Sequence, residues 1–271
     1  MIGLPPARDW SMLRWADILR EAASGWIAVL PLAATEQHGP HLPLGTDTMI
    51  AKAYLSRVRA ALPERIPAVF LPVQEIGISS EHLDYPGTLT LPPEVAMQNW
   101  RALGESICRA GIRKLVMVSS HGGNSAAMNV VAQELRSHHK MLVVTTGWSR
   151  FGVPDGLFAP KDVTHDIHGG AIETSIMLAA WPDQVRREAI ADFRIANDPA
   201  NRHLSIHRPA PYAWQAQDLH PSGAIGDASL ASADKGEKIL DHGAKAFCEL
   251  LDDVFRFDLD ALDNQPAMPG R

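Results

Sequence analysis

Fourteen residues, Ala34 to Asp47 (A-T-E-Q-H-G-P-H-L-P-L-G-T-D), gather one Glu, two His and one Asp directly after an apolar run. Glu36 and His38 are two apart, so an extended backbone projects both on the same side. Asp47 follows nine residues after His38, where helical periodicity begins. Carboxylate and imidazole together suit a hard-to-borderline divalent cation such as Zn²⁺, Mn²⁺ or Fe²⁺. A polar loop after a strand explains a single His. A carboxylate–x–imidazole pair with a third donor nearby is a much rarer coincidence.

Two further segments offer the same chemistry. S-S-H-G-G-N places His121 before Gly122 and Gly123, which permit a tight turn and close approach of a ligand. H-G-G-A-I-E-T-S runs from His168 to Ser175 and carries Glu173 in the first turns of a helix, where a carboxylate also favours the helix dipole. Glu36, His38, Asp47, His121 and Glu173 make five donors. Five suit a binuclear site in which one carboxylate, here Asp47, bridges two ions about 3.5–4 Å apart. Ser79, Glu81 and His82, in a polar segment with Asp84 to Thr88, suit substrate contact or support of a ligand. His41, between Pro40 and Pro43, is read as a structural or supporting residue.

The elements that must position these residues alternate. Trp26–Leu32, Ala68–Val73, Lys114–Ser119 and Met141–Thr146 read as buried strands. Helical patterns cover Thr46–Leu62, with Thr46 or Asp47 as cap, then Pro92–Ala110, Asn124–Arg136, Gly170–Ala180 and Ala233–Val254. Strands separated by helices predict right-handed crossovers and a mostly parallel sheet covered on both faces. Ligands of such sheets bind beyond the carboxyl ends of the strands. Glu36 and His38 follow the first strand, Ser79 to His82 the second and His121 the third. Trp148 follows the fourth, with His165 and His168 further on. Asp183–Gln217 is expected to wind over the surface, and His220–Asp234 to form a loop.

The 271 residues are expected to form a single domain, 1–271, with 46% apolar and 21% charged residues. A net charge of −6 and the lack of a basic stripe argue against a nucleic-acid partner. Cys108 and Cys248 are too few for a disulfide framework and read as buried reduced thiols. No run approaches a membrane span, and the first residues lack a signal-peptide pattern, so the expected location is the cytoplasm. Phosphate-loop, dinucleotide and serine-hydrolase signatures are missing.

Four ordered blocks make the chain resemble the creatininase (creatinine amidohydrolase) family: Leu30 to Asp47, Gly77 to Leu91, Ser120 to Asn124, and H-G-G-A-I-E-T-S. Gly223 to Gly236 is a weaker match. The resemblance implies a three-layer α/β/α fold with a binuclear metal centre and often a homo-oligomer, a hexamer in known members. Glu36, His38, Asp47 and His121 match the family's metal ligands. His168 matches a His near the substrate carbonyl or leaving nitrogen. Creatininase itself carries H-Y-E-N where this chain has His121, Gly122, Gly123 and Asn124, so a creatinine-touching Tyr and a metal-binding Glu are both replaced. Glu173 is the candidate to supply the fifth ligand, and Trp148 to supply an aromatic wall. Thr164 and His165 stand where creatininase has a Trp-Asp pair.

The expected activity is therefore hydrolysis of a small non-peptide amide, cyclic amide or formamide, with water activated by two divalent ions (Zn, Mn or Fe). His168, with Glu173, serves the substrate or the leaving nitrogen. The alternatives are a lactone or sugar-ring hydrolase, mycofactocin-type peptide processing, and a catalytically silent metal-binding protein.

Overall fold

Four short apolar runs form four parallel strands, β1 (Ile27–Leu32), β2 (Ala68–Phe70), β3 (Lys114–Ser119) and β4 (Leu142–Gly147). The structure is a computed structural model and describes residues 3–18, 23–195, 201, 203–206 and 209–262. The strands lie in the order β2-β1-β3-β4. Between and after them run α1 (Thr46–Ala61), α2 (Pro93–Arg109), α3 (Ser125–His139), α4 (Pro160–Thr164), α5 (Ala171–Ala180), α6 (Ala216–Leu219) and α7 (Ala233–Arg256).

Alternation along the strands sorts side chains to two faces. Ile27, Val29, Val116 and Val118 pack against Tyr54, Leu55 and Val58 of α1, Ile176 of α5, and Ile239 and Phe247 of α7. Ala28, Leu30, Leu115 and Met117 turn the other way, onto Trp100 and Ile107 of α2 and Val131 and Leu135 of α3. These are the three layers, helix–sheet–helix. Each fully buried Val, Leu or Ile contributes about 1.5–3 kcal/mol over exposure, which outweighs propensity differences of a few tenths per residue. Among the described residues no helix is long and apolar enough to cross a membrane.

The register sets up the site. Leu32 of β1 lies opposite Ser119 of β3, and Ser119 opposite Gly147 of β4. Three strands thus finish level, and the chain leaves each at the same edge. β1 is followed by β2 on one side and flanked by β3 on the other, which opens a crevice between β1 and β3.

Two local expectations change. The second strand ends at Phe70, not Val73. Pro31 lacks an amide hydrogen on the side facing β2, so the ladder breaks there and resumes only with Gln74, whose N–H donates to the Pro31 carbonyl. Neither Thr46 nor Asp47 caps α1, because Gly45 occupies the cap position. The Thr46 hydroxyl donates to the Pro43 carbonyl at 2.6 Å, and the Asp47 carboxylate turns toward imidazoles instead. The segment expected to wind over the surface is only partly superficial. Val185, Phe193 and Ala216 are buried, and β5 (Asp192–Phe193) pairs antiparallel with Gly226–Asp227. Residues 196–200, 202 and 207–208 of that segment lie outside the described residues.

The core also contains one cation. Lys114, at the start of β3, is buried, and its Nζ donates to the carbonyls of Val254, Phe255 and Phe257 at 2.8, 2.8 and 2.7 Å. These are the carbonyls that the end of α7 leaves without intrahelical partners, and a positive charge there also opposes the helix dipole. Lys114→Met keeps the apolar stem and removes the donors. It is expected to destabilise the protein by about 2–3 kcal/mol, read as a lower urea midpoint at unchanged slope. An unchanged midpoint would show that water replaces the ammonium at no cost.

Candidate metal centre

The loop leaving β1 folds back on itself and on the sheet. The Glu36 N–H donates to the Leu44 carbonyl, and Leu89 N–H to the Thr35 carbonyl. This holds Glu36 and His38 over the crevice and brings Asp47, in the first turn of α1, in from the side. His121 is the second residue after β3. His168 is placed by a short antiparallel bridge to Ile225, whose carbonyl accepts from His168 N–H at 3.1 Å and whose N–H donates back at 2.6 Å. Glu173 comes from the first turn of α5. The five candidate ligands therefore converge from four segments, and four of them are fully or nearly fully buried.

Hydrogen-bond polarity decides what the imidazoles present. His38 donates its Nδ1–H to the Glu36 carbonyl at 3.0 Å, leaving the Nε2 lone pair 3.5 Å from Asp47 Oδ1 and 3.8 Å from Glu173 Oε2. His121 donates its Nε2–H to the Ile78 carbonyl at 2.6 Å, leaving the Nδ1 lone pair 3.0 Å from Glu36 Oε1 and 3.6 Å from Asp47 Oδ2. His168 donates its Nε2–H to the Gln37 carbonyl at 2.5 Å and turns Nδ1 to Glu36 Oε1 at 3.6 Å. Main-chain acceptors fix each ring nitrogen in this way around many metal sites.

The result is a set of acceptors facing acceptors. Glu36 Oε1 and Oε2, His38 Nε2 and Asp47 Oδ2 are buried without a hydrogen-bond partner. Among the described residues, imidazoles alone make ion pairs with Glu36, Asp47 and Glu173. Three groups have donor atoms within 4.8 Å of one another: Glu36–Asp47–His121, His38–Asp47–Glu173 and Glu36–His38–His168. Two of the groups share Asp47. The donor chemistry fits divalent cations, since carboxylate oxygens and imidazole nitrogens converge there and, among the described residues, no Lys or Arg pairs with them.

Without a cation, protons take its place. Burial lowers the His38 imidazole, but Asp47, Glu173 and Glu36 outweigh it and raise it to about 9. Burial likewise opposes His121, and Glu36, Asp47 and Glu81 raise it to about 10. Burial pushes the Glu36 carboxyl up, and His121 overturns this, holding it below the usual range. Burial lifts Asp47 against the pull of His38, and lifts Glu173 to about 7 against the same imidazole.

The remaining candidates separate. Glu81 is drawn in, with Oε1 3.5 Å from His121 Nε2. His82 is buried, sets Nε2 3.5 Å from Glu36 Oε1, and stacks on His168 at 4.2 Å. Burial pulls its imidazole down to about 4 against the opposing effect of Glu36. Ser79 is fully buried and its hydroxyl has no hydrogen-bond partner. Gly122 borders open space, whereas a Cβ on Gly123 would stand 2.4 Å from His121 Nε2, 2.6 Å from the Ile78 carbonyl and 2.7 Å from Glu81 Oε1. Gly123 therefore clears the room in which Ile78 and Glu81 meet His121. Trp148 belongs to the core, stacked on Tyr54 at 4.4 Å, yet it also lines a cavity of about 90 Å³ with Ile50, Val153, Ile172 and Glu173. His165 ends α4, and the structure does not bring it into the donor groups. His41 sits 2.8 Å from the Thr174 hydroxyl and stacks on Phe193, consistent with a supporting role.

Sequence reading missed Ile225, which acts only through its main chain. The Asn124 side chain makes no cap bond to the helix it precedes and orients its neighbours instead: Oδ1 accepts from Ile78 N–H at 3.0 Å, and Nδ2 donates to the Ala33 carbonyl and Ser119 Oγ at 3.1 and 3.2 Å. One amide thus ties together three loops at the strand ends.

Known proteins share this fold. The family described as creatininase, creatinine amidohydrolase, matches residues 11–251. The mycofactocin precursor peptide peptidase of Mycobacterium ulcerans (strain Agy99) is 33% identical over 237 residues, 85% of this chain and 84% of that protein. Creatinine amidohydrolase of Pseudomonas putida is 28% identical over 263 residues, 90% of this chain and 95% of that one. A solved structure described as creatininase Mn superposes with a TM-score of 0.76 at 26% identity, covering 93% of this chain and 100% of the other. Matched span and shared architecture agree, and the chain belongs to the creatininase family.

Proposed function

We propose that this protein hydrolyses the C–N bond of a compact amide, cyclic amide or formamide at a centre of two divalent cations held by Glu36, His38, Asp47, His121 and Glu173. One observation carries the reading. Asp47 Oδ1 faces His38 Nε2 at 3.5 Å while Asp47 Oδ2 faces His121 Nδ1 at 3.6 Å, so a single carboxylate serves both donor groups. Divalent cations of the zinc, manganese or iron type supply Lewis acidity there and lower the pKa of water, toward about 7 near zinc.

The chain's own groups do the rest. His168, with Nε2–H committed to the Gln37 carbonyl, offers Nδ1 as a proton acceptor beside Glu36. It takes a proton from the attacking water and returns it to the leaving nitrogen. The cavity beside Glu173 accepts an apolar substituent of a few carbons. At about 90 Å³ it is smaller than the roughly 150 Å³ that holds benzene. A second reading, cleavage of a short peptide, is supported by the 33% identity to the mycofactocin precursor peptide peptidase. Formamides, cyclic amides, lactones and short peptides assayed side by side separate these.

Chelation is expected to abolish turnover, and Zn²⁺ or Mn²⁺ to restore it. Asp47→Ala is expected to reduce bound metal per chain, read by elemental analysis. It should also lower kcat/KM by more than about 100-fold, the upper end for loss of a group that merely orients a ligand. Full turnover by metal-free protein would sink the proposal.

Loading should also release protons. With His38 raised to about 9 and His121 to about 10, both imidazoles are protonated at pH 7 in the metal-free protein and must give up those protons to become ligands. Affinity is then expected to rise with pH below about 9, and two or more protons should appear in an indicator-dye titration at pH 7, since Glu173, lifted to about 7, gives up part of one as well. Binding that is independent of pH between 6 and 8 would show that these imidazoles do not ligate.

A further inference from the structure

His82 and His168 are two buried imidazoles, stacked with centroids 4.2 Å apart, and both face the same oxygen, Glu36 Oε1, at 3.5 and 3.6 Å. Composition alone would let either be base, donor or ligand. We propose that Gln37 is a positioning residue that sorts them, fixing the His82 ring hydrogen on Nε2, the nitrogen nearer Glu36, and leaving His168 Nδ1 as an open acceptor. The proposal rests on the hydrolytic centre above for its consequence, and on hydrogen-bond polarity alone for its substance.

The polarity follows from groups that cannot reverse. Gln37 Oε1 accepts from the Gly39 main-chain N–H at 2.9 Å, so that atom is the amide oxygen. The other end donates to the Gly223 carbonyl at 3.0 Å, so it is the nitrogen. Its second hydrogen points to His82 Nδ1 at 2.7 Å. An amide nitrogen has no lone pair to offer, so Nδ1 must accept and the ring hydrogen sits on Nε2, the nitrogen nearer Glu36. His82 is thereby closed as a cation ligand and as a base. The main-chain carbonyl of the same residue accepts from His168 Nε2–H, which leaves the Nδ1 lone pair of His168 open. One residue thus gives two adjacent rings opposite polarity toward a common point.

Gly223 makes this possible. It has φ of +84°, and a Cβ there would lie 2.2–2.8 Å from the Gln37 amide atoms. Any side chain would drive the amide off His82.

The test is side-chain ¹⁵N NMR of the histidines in metal-free and zinc-loaded protein, with Gln37→Glu and Gly223→Ala as variants. In the unsubstituted protein His82 is expected to show an unprotonated Nδ1 and a protonated Nε2, and His168 an unprotonated Nδ1. Gln37→Glu should protonate His82 Nδ1, and Gly223→Ala should break its hydrogen bond. His168 should keep its form in both, because its partner is main chain. Unchanged zinc content with kcat/KM lowered about 10–100-fold is the expected kinetic counterpart. A protonated His82 Nδ1 in the unsubstituted protein would overturn the proposal, as would a Gln37→Glu protein in which His82 is unchanged. Neither spectrum depends on turnover, so failure of the hydrolytic reading alone would leave the assignment standing.

Discussion

Lone pairs buried against lone pairs dominate this structure. Glu36 Oε1 and Oε2, His38 Nε2 and Asp47 Oδ2 are buried without a hydrogen-bond partner. Leaving a buried polar group unsatisfied costs about 1–3 kcal/mol, so four such atoms together cost a large share of the roughly 5–15 kcal/mol that stabilises a domain. The arrangement persists only because the surrounding fold dictates it. A cation of sufficient charge turns the same cluster from a liability into a source of stability.

The fold meets this demand with main-chain groups more than with side chains. The carbonyls of Glu36, Gln37 and Ile78 each take one imidazole hydrogen, and so decide which nitrogen of His38, His168 and His121 looks inward. Those carbonyls are themselves held by the level strand ends and by the Asn124 amide. Main-chain groups do the same for the buried Lys114 beneath the end of α7, whose charge three carbonyls satisfy.

Much of this was legible in the residues. The apolar runs and helical periods located the sheet and its helices, because each strand is covered on both sides and each helix on one. The ligand candidates were legible because carboxylate and imidazole recurred just past strand ends. What escaped was set by contacts distant in sequence. Nothing around Ile225 announces that its backbone will pair with His168. Gln37 was hidden between two stronger candidates, and its meaning depends on Gly223, 186 positions away. The shortened β2 was readable in principle, since Pro31 falls where the ladder fails. The Asp47 cap was misread because a helix-start carboxylate has two possible employers, its own amides or a neighbouring imidazole, and local sequence does not choose between them.

The cavity beside Glu173 has a further consequence. Its walls at Trp148, Val153 and Val163 come from the stretch after β4. Glu36, His38, Asp47 and His121 come from the exits of β1 and β3 and the start of α1. Ile50, Ser120 and Glu173 line the same cavity and sit beside or among the ligand candidates, so a change in the shape of its walls is also felt at the converging carboxylates and imidazoles.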